Sequence, residues 1–436
     1  MHASTLAPDT APASGLDRQQ IKTLTLSALG GALEFYDFVI FVYFATTMGA
    51  LFFPADMPQW LKLVQTFGIF AAGYLARPLG GIVMAHFGDL SGRKRMFMLS
   101  ILLMALPTLL MGLLPTYAQV GVLAPILLLL LRILQGAAIG GEAPGAWVFV
   151  SEHAGVRHRN FACGALSMGL CAGILIGSLV ALLVNALFDE QQLLAWGWRL
   201  PFLVGGLFGL LAMRLRRQLH ETPVFAELQS RRALAEELPL KSVVRDHRGA
   251  VMLAMLLTWL LTAAVVVTLL MMPTFLQGHG VARGAALTGN ALAVLAAMLA
   301  NLAAGALADR FGAGRVLAVW SLWLGVVFCW FYAGVQAGHY SILAYALAGS
   351  AIGLTAMIPA IALADFPAAV RFSGLSFSYN VAYAIAGGLT PVLLSLAMKN
   401  NPDAPIHYIG AMAVLGVVLG LWVARQERLK ARASTV

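Results

Sequence analysis

The chain has 436 residues, of which 60% are hydrophobic and only 11% charged, with a net charge of +9 and a mean hydropathy of +0.83. Soluble domains run near ~25% charged residues, and a water-soluble fold of this size could not hide so much apolar surface. The composition is that of an integral membrane protein. Nothing supports an enzyme: there is no Gly-x-x-x-x-Gly-Lys-Ser loop through which ATP could drive it, and no Cys/His cluster has metal-ligand spacing.

Residues 1–22 carry Asp9, Asp17, Arg18 and Lys22 without an apolar core, so they are expected to form a cytosolic tail and not a cleavable signal peptide. Twelve apolar runs follow, at roughly 23–50, 62–87, 96–115, 121–151, 161–187, 199–215, 249–276, 285–308, 316–334, 341–364, 375–398 and 407–424. Each is long enough to cross a hydrocarbon core of about 30 Å as a helix. They fall into two six-helix halves, 23–215 and 249–425, separated by a polar stretch at 216–248 whose mixed charges suggest short amphipathic helices, and followed by a short tail, 426–436. With both termini placed in the cytosol, only Lys62, Arg77, Arg132, Arg199, Arg283 and Lys399 among the 28 basic residues lie elsewhere. The positive-inside rule therefore puts both ends inside, and this bias accounts for the net charge without nucleic-acid binding.

Charged residues within spans are expensive, at least ~3 kcal/mol at a helix centre, and so mark function. In the first span Glu34 and Asp37 lie ~16–21 Å from the inner edge, three residues apart on adjoining faces. Two close carboxyls in a dry setting resist joint ionisation, as a proton carrier requires. Arg77 lies mid-depth in the second span. Between the second and third spans stands a charged turn, Asp89-Leu90-Ser91-Gly92-Arg93-Lys94. The fourth span carries Arg132, Gln135 and Glu142, close together on a helical wheel, with Pro144 after them. The fifth has Gly164, Gly169, Gly173 and Gly177, a spacing that lets another helix approach closely. Cys163, Cys171 and Cys329 sit within spans as packing residues, with no disulfide framework.

The second half has no charge near its span centres and offers neutral groups: Thr258, Thr262, Asn290, Asn301, and a cluster of Tyr379, Asn380 and Tyr383 in which the two tyrosines share a face. Pro359 and Pro391 loosen its tenth and eleventh spans. The charged turn recurs as Asp309-Arg310-Phe311-Gly312-Ala313-Gly314, 220 residues after the first copy. A repeat at half the chain length is the plan of a secondary transporter.

The twin turns resemble the loop motif Gly-x-x-x-Asp-Arg-x-Gly-Arg-Arg of the major facilitator superfamily. Further blocks resemble its metabolite:proton symporter branch: Gly31-Ala32-Leu33-Glu34-Phe35-Tyr36-Asp37-Phe38, Arg77-Pro78-Leu79-Gly80-Gly81, Arg132-Ile133-Leu134-Gln135-Gly136 with Gly140-Gly141-Glu142, Trp196 to Phe202, and Glu221-Thr222-Pro223. Leu90 replaces an arginine of the motif, and Ala313 and Gly314 replace two basic residues. The second turn is therefore expected to latch less strongly than the first.

The resemblance implies a twelve-helix all-α carrier of the major facilitator fold. It would be a monomer in the bacterial inner membrane, driven by the proton gradient and needing no cofactor. The main expectation is import of a small carboxylate-bearing metabolite with a proton; the alternatives are a proline/betaine-type zwitterion symporter and a drug/proton antiporter. Proline/betaine carriers often have a long helical C-terminal extension, whereas this chain ends about ten residues after its last span, and the fifth span lacks the Gly-Pro of antiporters. Proton coupling is assigned to Glu34, Asp37 and Glu142. Substrate contacts are assigned to Tyr36, Arg77, Arg132, Gln135, Tyr379, Asn380 and Tyr383, with Arg132 holding the carboxylate. Gating falls to Asp89, Gly92, Arg93, Lys94, Asp309 and Arg310.

Overall fold

The computed structural model describes residues 18–91, 93–140, 142–216, 239–367 and 371–433. Among these residues there is no strand. Each expected span falls on helix: α1 (Arg18–Tyr43), α2 (Gln59–Ser91), α3 (Arg93–Leu113), α4 (Leu123–Ile139, resuming as Glu142–Ala154), α5 (Arg159–Leu187), α6 (Leu200–Arg216), α7 (Arg248–Gly278), α8 (Arg283–Phe311), α9 (Ala313–Gln336), α10 (Ile342–Ala364), α11 (Arg371–Met398) and α12 (Ala404–Ala433). Nine of them are long and apolar enough, among the described residues, to cross a bilayer, and α3 and α6 contribute the shorter apolar stretches Leu102–Leu113 and Gly197–Leu211. Leu207, Leu299, Val319 and Leu343 stand more than 60% exposed on the outside, where lipid and not water is their solvent.

The packing repeats. In the first half α1 lies on α5, α2 on α4 and α3 on α6; in the second, α7 lies on α11, α8 on α10 and α9 on α12. The halves meet along α5–α8 and α2–α11. Small residues set the closest crossings. A methyl on Gly136 of α4 would collide with the backbone carbonyl of Gly73 on α2, and one on Gly173 of α5 with the carbonyl of Ala32 on α1. The glycine spacing of the fifth span thus serves α1, while Gly164 faces Asn301 of α8.

Proline positions shape the spans that face the partner half. Pro144 has no N–H for the carbonyl of Gly140 four residues before it, and that carbonyl accepts instead from Asn380 Nδ2 of α11. Pro359, 215 positions later, likewise offers nothing to Thr355, whose carbonyl accepts from Ser167 Oγ of α5 at 3.4 Å. In each half a proline frees a carbonyl that a side chain of the other half then meets.

Among the described residues the halves are hydrogen-bonded to each other at both ends of the interface. At one end Asp309, on the last turn of α8, accepts from the backbone N–H groups of Asn160 (3.0 Å) and Phe161 (2.9 Å) and from Asn160 Nδ2 (2.9 Å). It caps the free first turn of α5 from the opposite half, where a carboxylate also meets the positive end of the helix dipole. Gly312 closes the turn at φ +93°, a conformation that favours glycine. Arg310 is exposed and lies over Phe311. The missing basic pair has a packing reason: Gly314 abuts Gly420 and Ala424 of α12, where a side chain would strike backbone. In the first turn Gly92 and the side chains of Asp89, Arg93 and Lys94 lie outside the described residues. At the other end Asn290 Nδ2 donates to Tyr43 Oη (2.7 Å) and Ser178 Oγ (3.3 Å) across the halves, and Arg283 donates to Thr47 Oγ1 (3.3 Å).

The ends of the chain depart from expectation. α1 begins at Arg18, inside the segment expected as a tail, and α12 continues to Ala433. That continuation is docked: Glu427 accepts from the Gly314 N–H at 3.4 Å and Lys430 pairs with Asp365 at 3.4 Å. The stretch expected as a linker contains the short helix Pro239–Asp246, and 217–238 lie outside the described residues.

Two outcomes follow from this packing. Gly136→Ala should destabilise the protein by about 1–3 kcal/mol through overpacking, seen as a lower melting temperature in detergent, whereas Gly68→Ala, which meets nothing within 4 Å, should not. Asp309→Asn loses the charge and one acceptor, a loss of about 1 kcal/mol. Spin-label distances across that end should lengthen in the variant; unchanged distances would show that the cap does not hold the halves together.

Candidate functional site

Two polar clusters lie inside the bundle, and they differ in what they face. The first belongs to the first half alone. Asp37 of α1 is fully buried, and neither carboxyl oxygen has a hydrogen-bond partner among the described residues. Its side chain points at α6, where Gly205 leaves it room: a methyl there would come within 2.6 Å of Oδ1. Beside it Gln135 Nε2 donates to the Asp37 backbone carbonyl (3.1 Å) and to Thr108 Oγ1 (2.7 Å), while Gln135 Oε1 accepts from Arg132 Nη1. Arg132 is fully buried, with its guanidinium over the rings of Phe38 and Phe41 at 4.5 Å and Phe70 at 5.3 Å. Tyr36 turns outward to α6, donating to the Pro201 carbonyl at 2.8 Å.

The second cluster belongs to both halves. Arg77 of α2 is 2% exposed and sits over three tyrosine rings: Tyr383 at 4.7 Å, Tyr379 at 5.5 Å and Tyr74 at 5.6 Å. Its Nε and Nη2 have no hydrogen-bond partner among the described residues. Trp147 of α4 meets Tyr379 edge-on at 5.1 Å. Trp147, Tyr379 and Tyr383, together with Ser167 and Cys171 of α5 and Thr355 of α10, line a cavity of about 30 Å³ between the halves.

The structure thus brings together Arg77, Tyr379 and Tyr383 in one place and Asp37, Arg132 and Gln135 in another. Asn380 follows Tyr379 directly, and its Nδ2 donates to the Gly140 carbonyl. Of the seven expected substrate contacts Tyr379 and Tyr383 line the cavity; Tyr36, Arg77, Arg132, Gln135 and Asn380 are not among its lining residues. The side chains of Glu34 and Glu142 lie outside the described residues. Tyr74 and Trp147 were not anticipated. Tyr74 had a signal in the sequence, since it precedes Arg77 by three residues and so shares its face; Trp147 had none. Thr258 and Thr262 spend their hydroxyls on carbonyls of their own helix.

The sequence profile of the Major Facilitator Superfamily matches residues 28–391. A glycine betaine/proline/ectoine/pipecolic acid transporter of Dickeya dadantii is 30% identical over 426 residues, covering 92% of this chain and 83% of that protein. A proline/betaine transporter of Salmonella typhimurium is 30% identical over 424 residues, covering 92% and 82%. Among solved structures, a D-xylose-proton symporter superposes with a TM-score of 0.72 at 16% identity, over 93% of this chain and 97% of that one. A partially occluded inward-open form of the Escherichia coli xylose transporter gives the same TM-score over 94% and 98%. Family match, relatives and fold agree: the chain is a multi-pass membrane transporter, not an enzyme, and it belongs to the major facilitator superfamily.

Proposed function

We propose that this transporter is a proton-coupled symporter that imports a small zwitterionic osmolyte of the proline or betaine kind across the bacterial inner membrane. The observation that carries the reading is Arg77. It is a buried guanidinium with two donors that lack a hydrogen-bond partner among the described residues, and it lies over Tyr379 and Tyr383, which line the cavity shared by the halves. A carboxylate can take the free donors as a bidentate partner, and aromatic faces suit a weakly hydrated cation. A zwitterion presents both ends; a simple carboxylate metabolite presents one, and the relatives named above carry proline and betaine. The expectation of a plain carboxylate substrate therefore gives way to its alternative.

Asp37 is the proton carrier in this reading. A carboxyl without donors in dry surroundings is far cheaper neutral than ionised, and the nearby Arg132, held by Gln135, is placed to favour the ionised form when the cluster rearranges. Glu34 and Glu142 remain candidates for the same path. Halves at about 23–215 and 249–425 rock about the cavity, with both termini cytosolic, and the Asp309 cap, with the first charged turn, closes that side. The carrier acts as a monomer and needs no cofactor beyond the proton gradient.

In proteoliposomes, Asp37→Asn should abolish accumulation of proline or betaine under an imposed pH gradient while leaving counterflow of the same solute intact. Full accumulation by this variant would remove Asp37 from the proton path. Arg77→Lys keeps the charge and loses the fork, so substrate affinity should fall by roughly tenfold, and Arg77→Ala should lower it further. Unchanged affinity in both would place the carboxylate elsewhere.

A further inference from the structure

The tyrosine cage has a property that the uptake reading does not by itself require. Three rings converge on one cation, all three are buried, and they come from both halves: Tyr74 from α2, Tyr379 and Tyr383 from α11. The rings hold one another, with Tyr74 and Tyr383 5.1 Å apart and Tyr379 and Tyr383 4.9 Å apart. Arg132 also lies over aromatic rings and also leaves Nε and Nη2 without partners, but its Nη1 is tied to Gln135 Oε1 and none of its rings, Phe38, Phe41 and Phe70, lines the cavity. Arg77 differs in the rings it rests on. Two of its nitrogens are idle while its charge rests on π faces, two of which line the cavity.

We infer that Tyr74, Tyr379 and Tyr383 form the binding site for the cationic end of the substrate, a quaternary or secondary ammonium, which displaces the Arg77 guanidinium from the cage. The inference rests on the zwitterion reading and deepens it. A guanidinium and a substituted ammonium are both weakly hydrated cations, so one can replace the other on the same rings. The displaced guanidinium keeps its charge inside the bundle and needs an anion; the substrate's carboxylate, a few atoms from its ammonium, supplies one. Charge is conserved at the site throughout, which avoids leaving a buried charge unpaired. Tyr383 also opens the wide turn Tyr383–Gly387, within which α11 departs from regular helix. Such turns occur at functional sites. An exchange of cations there acts directly on the α2–α11 seam between the halves.

The test compares two ligands of one shape on the purified full-length protein: glycine betaine, and the tert-butylacetate ion, in which carbon replaces the charged nitrogen. Equilibrium binding to the wild type should favour betaine by about tenfold or more, the loss expected when a desolvated cation–π contact is removed. Tyr383→Leu and Tyr74→Leu, from opposite halves, should bring the ratio toward one, while Tyr383→Phe, which keeps the ring, should preserve it. If tert-butylacetate binds the wild type as well as betaine does, or if both leucine variants keep the preference, the cage does not read the cation. The wild-type ratio tests the inference even if a leucine variant fails to fold. Failure of the wild type to bind or take up any proline- or betaine-like solute would instead overturn the uptake reading.

Discussion

A polar group inside this bundle has no water to fall back on, and that constraint organises the contact between the halves. In lipid, a backbone carbonyl released from its helix must be met by something within the protein. Pro144 and Pro359 release the carbonyls of Gly140 and Thr355, and the opposite half answers each, with Asn380 in one case and Ser167 in the other. The two arrangements are related by the internal repeat of the chain. Because each acceptor is neutral and each donor is a single side chain, such contacts can part without leaving a bare charge.

The two deep arginines show how the same constraint yields different chemistry. Each is buried, and each lies over aromatic rings. Arg132 is fixed by a glutamine that also grips the backbone of Asp37 and the hydroxyl of Thr108, so it belongs to a closed charge cluster within one half. Arg77 stands on the seam, its rings contributed by both halves. A cation fixed within one half can tune a proton site there; a cation on the seam can register a ligand that bridges the halves.

Much of this was legible from residue order because the signals were long. Twelve apolar runs announce twelve helices, and the paired turns announce the repeat. The polar residues could be read off the spans, yet their division into two clusters could not. Spacing tells which residues share a face of one helix; it does not tell which neighbour that face meets. That is fixed by rotation of the helix, which here depends on contacts such as Gly136 against Gly73 and Gly205 against Asp37. Arg77 and Arg132 therefore read alike, although Arg132 meets rings of α1 and α2 while Arg77 meets rings of α2 and α11. The second turn follows the same logic: Gly314 departs from the motif where α12 packs, while Asp309 keeps three donors.

The halves also divide labour in their backbones. Charge inside the spans is confined to the first half, whereas irregular turns interrupt three long spans of the second: Val266–Met271 in α7, Ala351–Ala356 in α10 and Tyr383–Gly387 in α11. Each of these turns precedes a proline of its own span, Pro273, Pro359 and Pro391, which removes a helix hydrogen bond reaching back toward it. In the first half Gln135 ties Arg132, the Asp37 carbonyl of α1 and Thr108 of α3 together, and such buried hydrogen bonds tolerate little distortion. Segments with wide or tight turns can bend at lower cost. The first half is thereby suited to stay rigid around Asp37, and the second to bend, with Tyr383 at the start of one of its irregular turns.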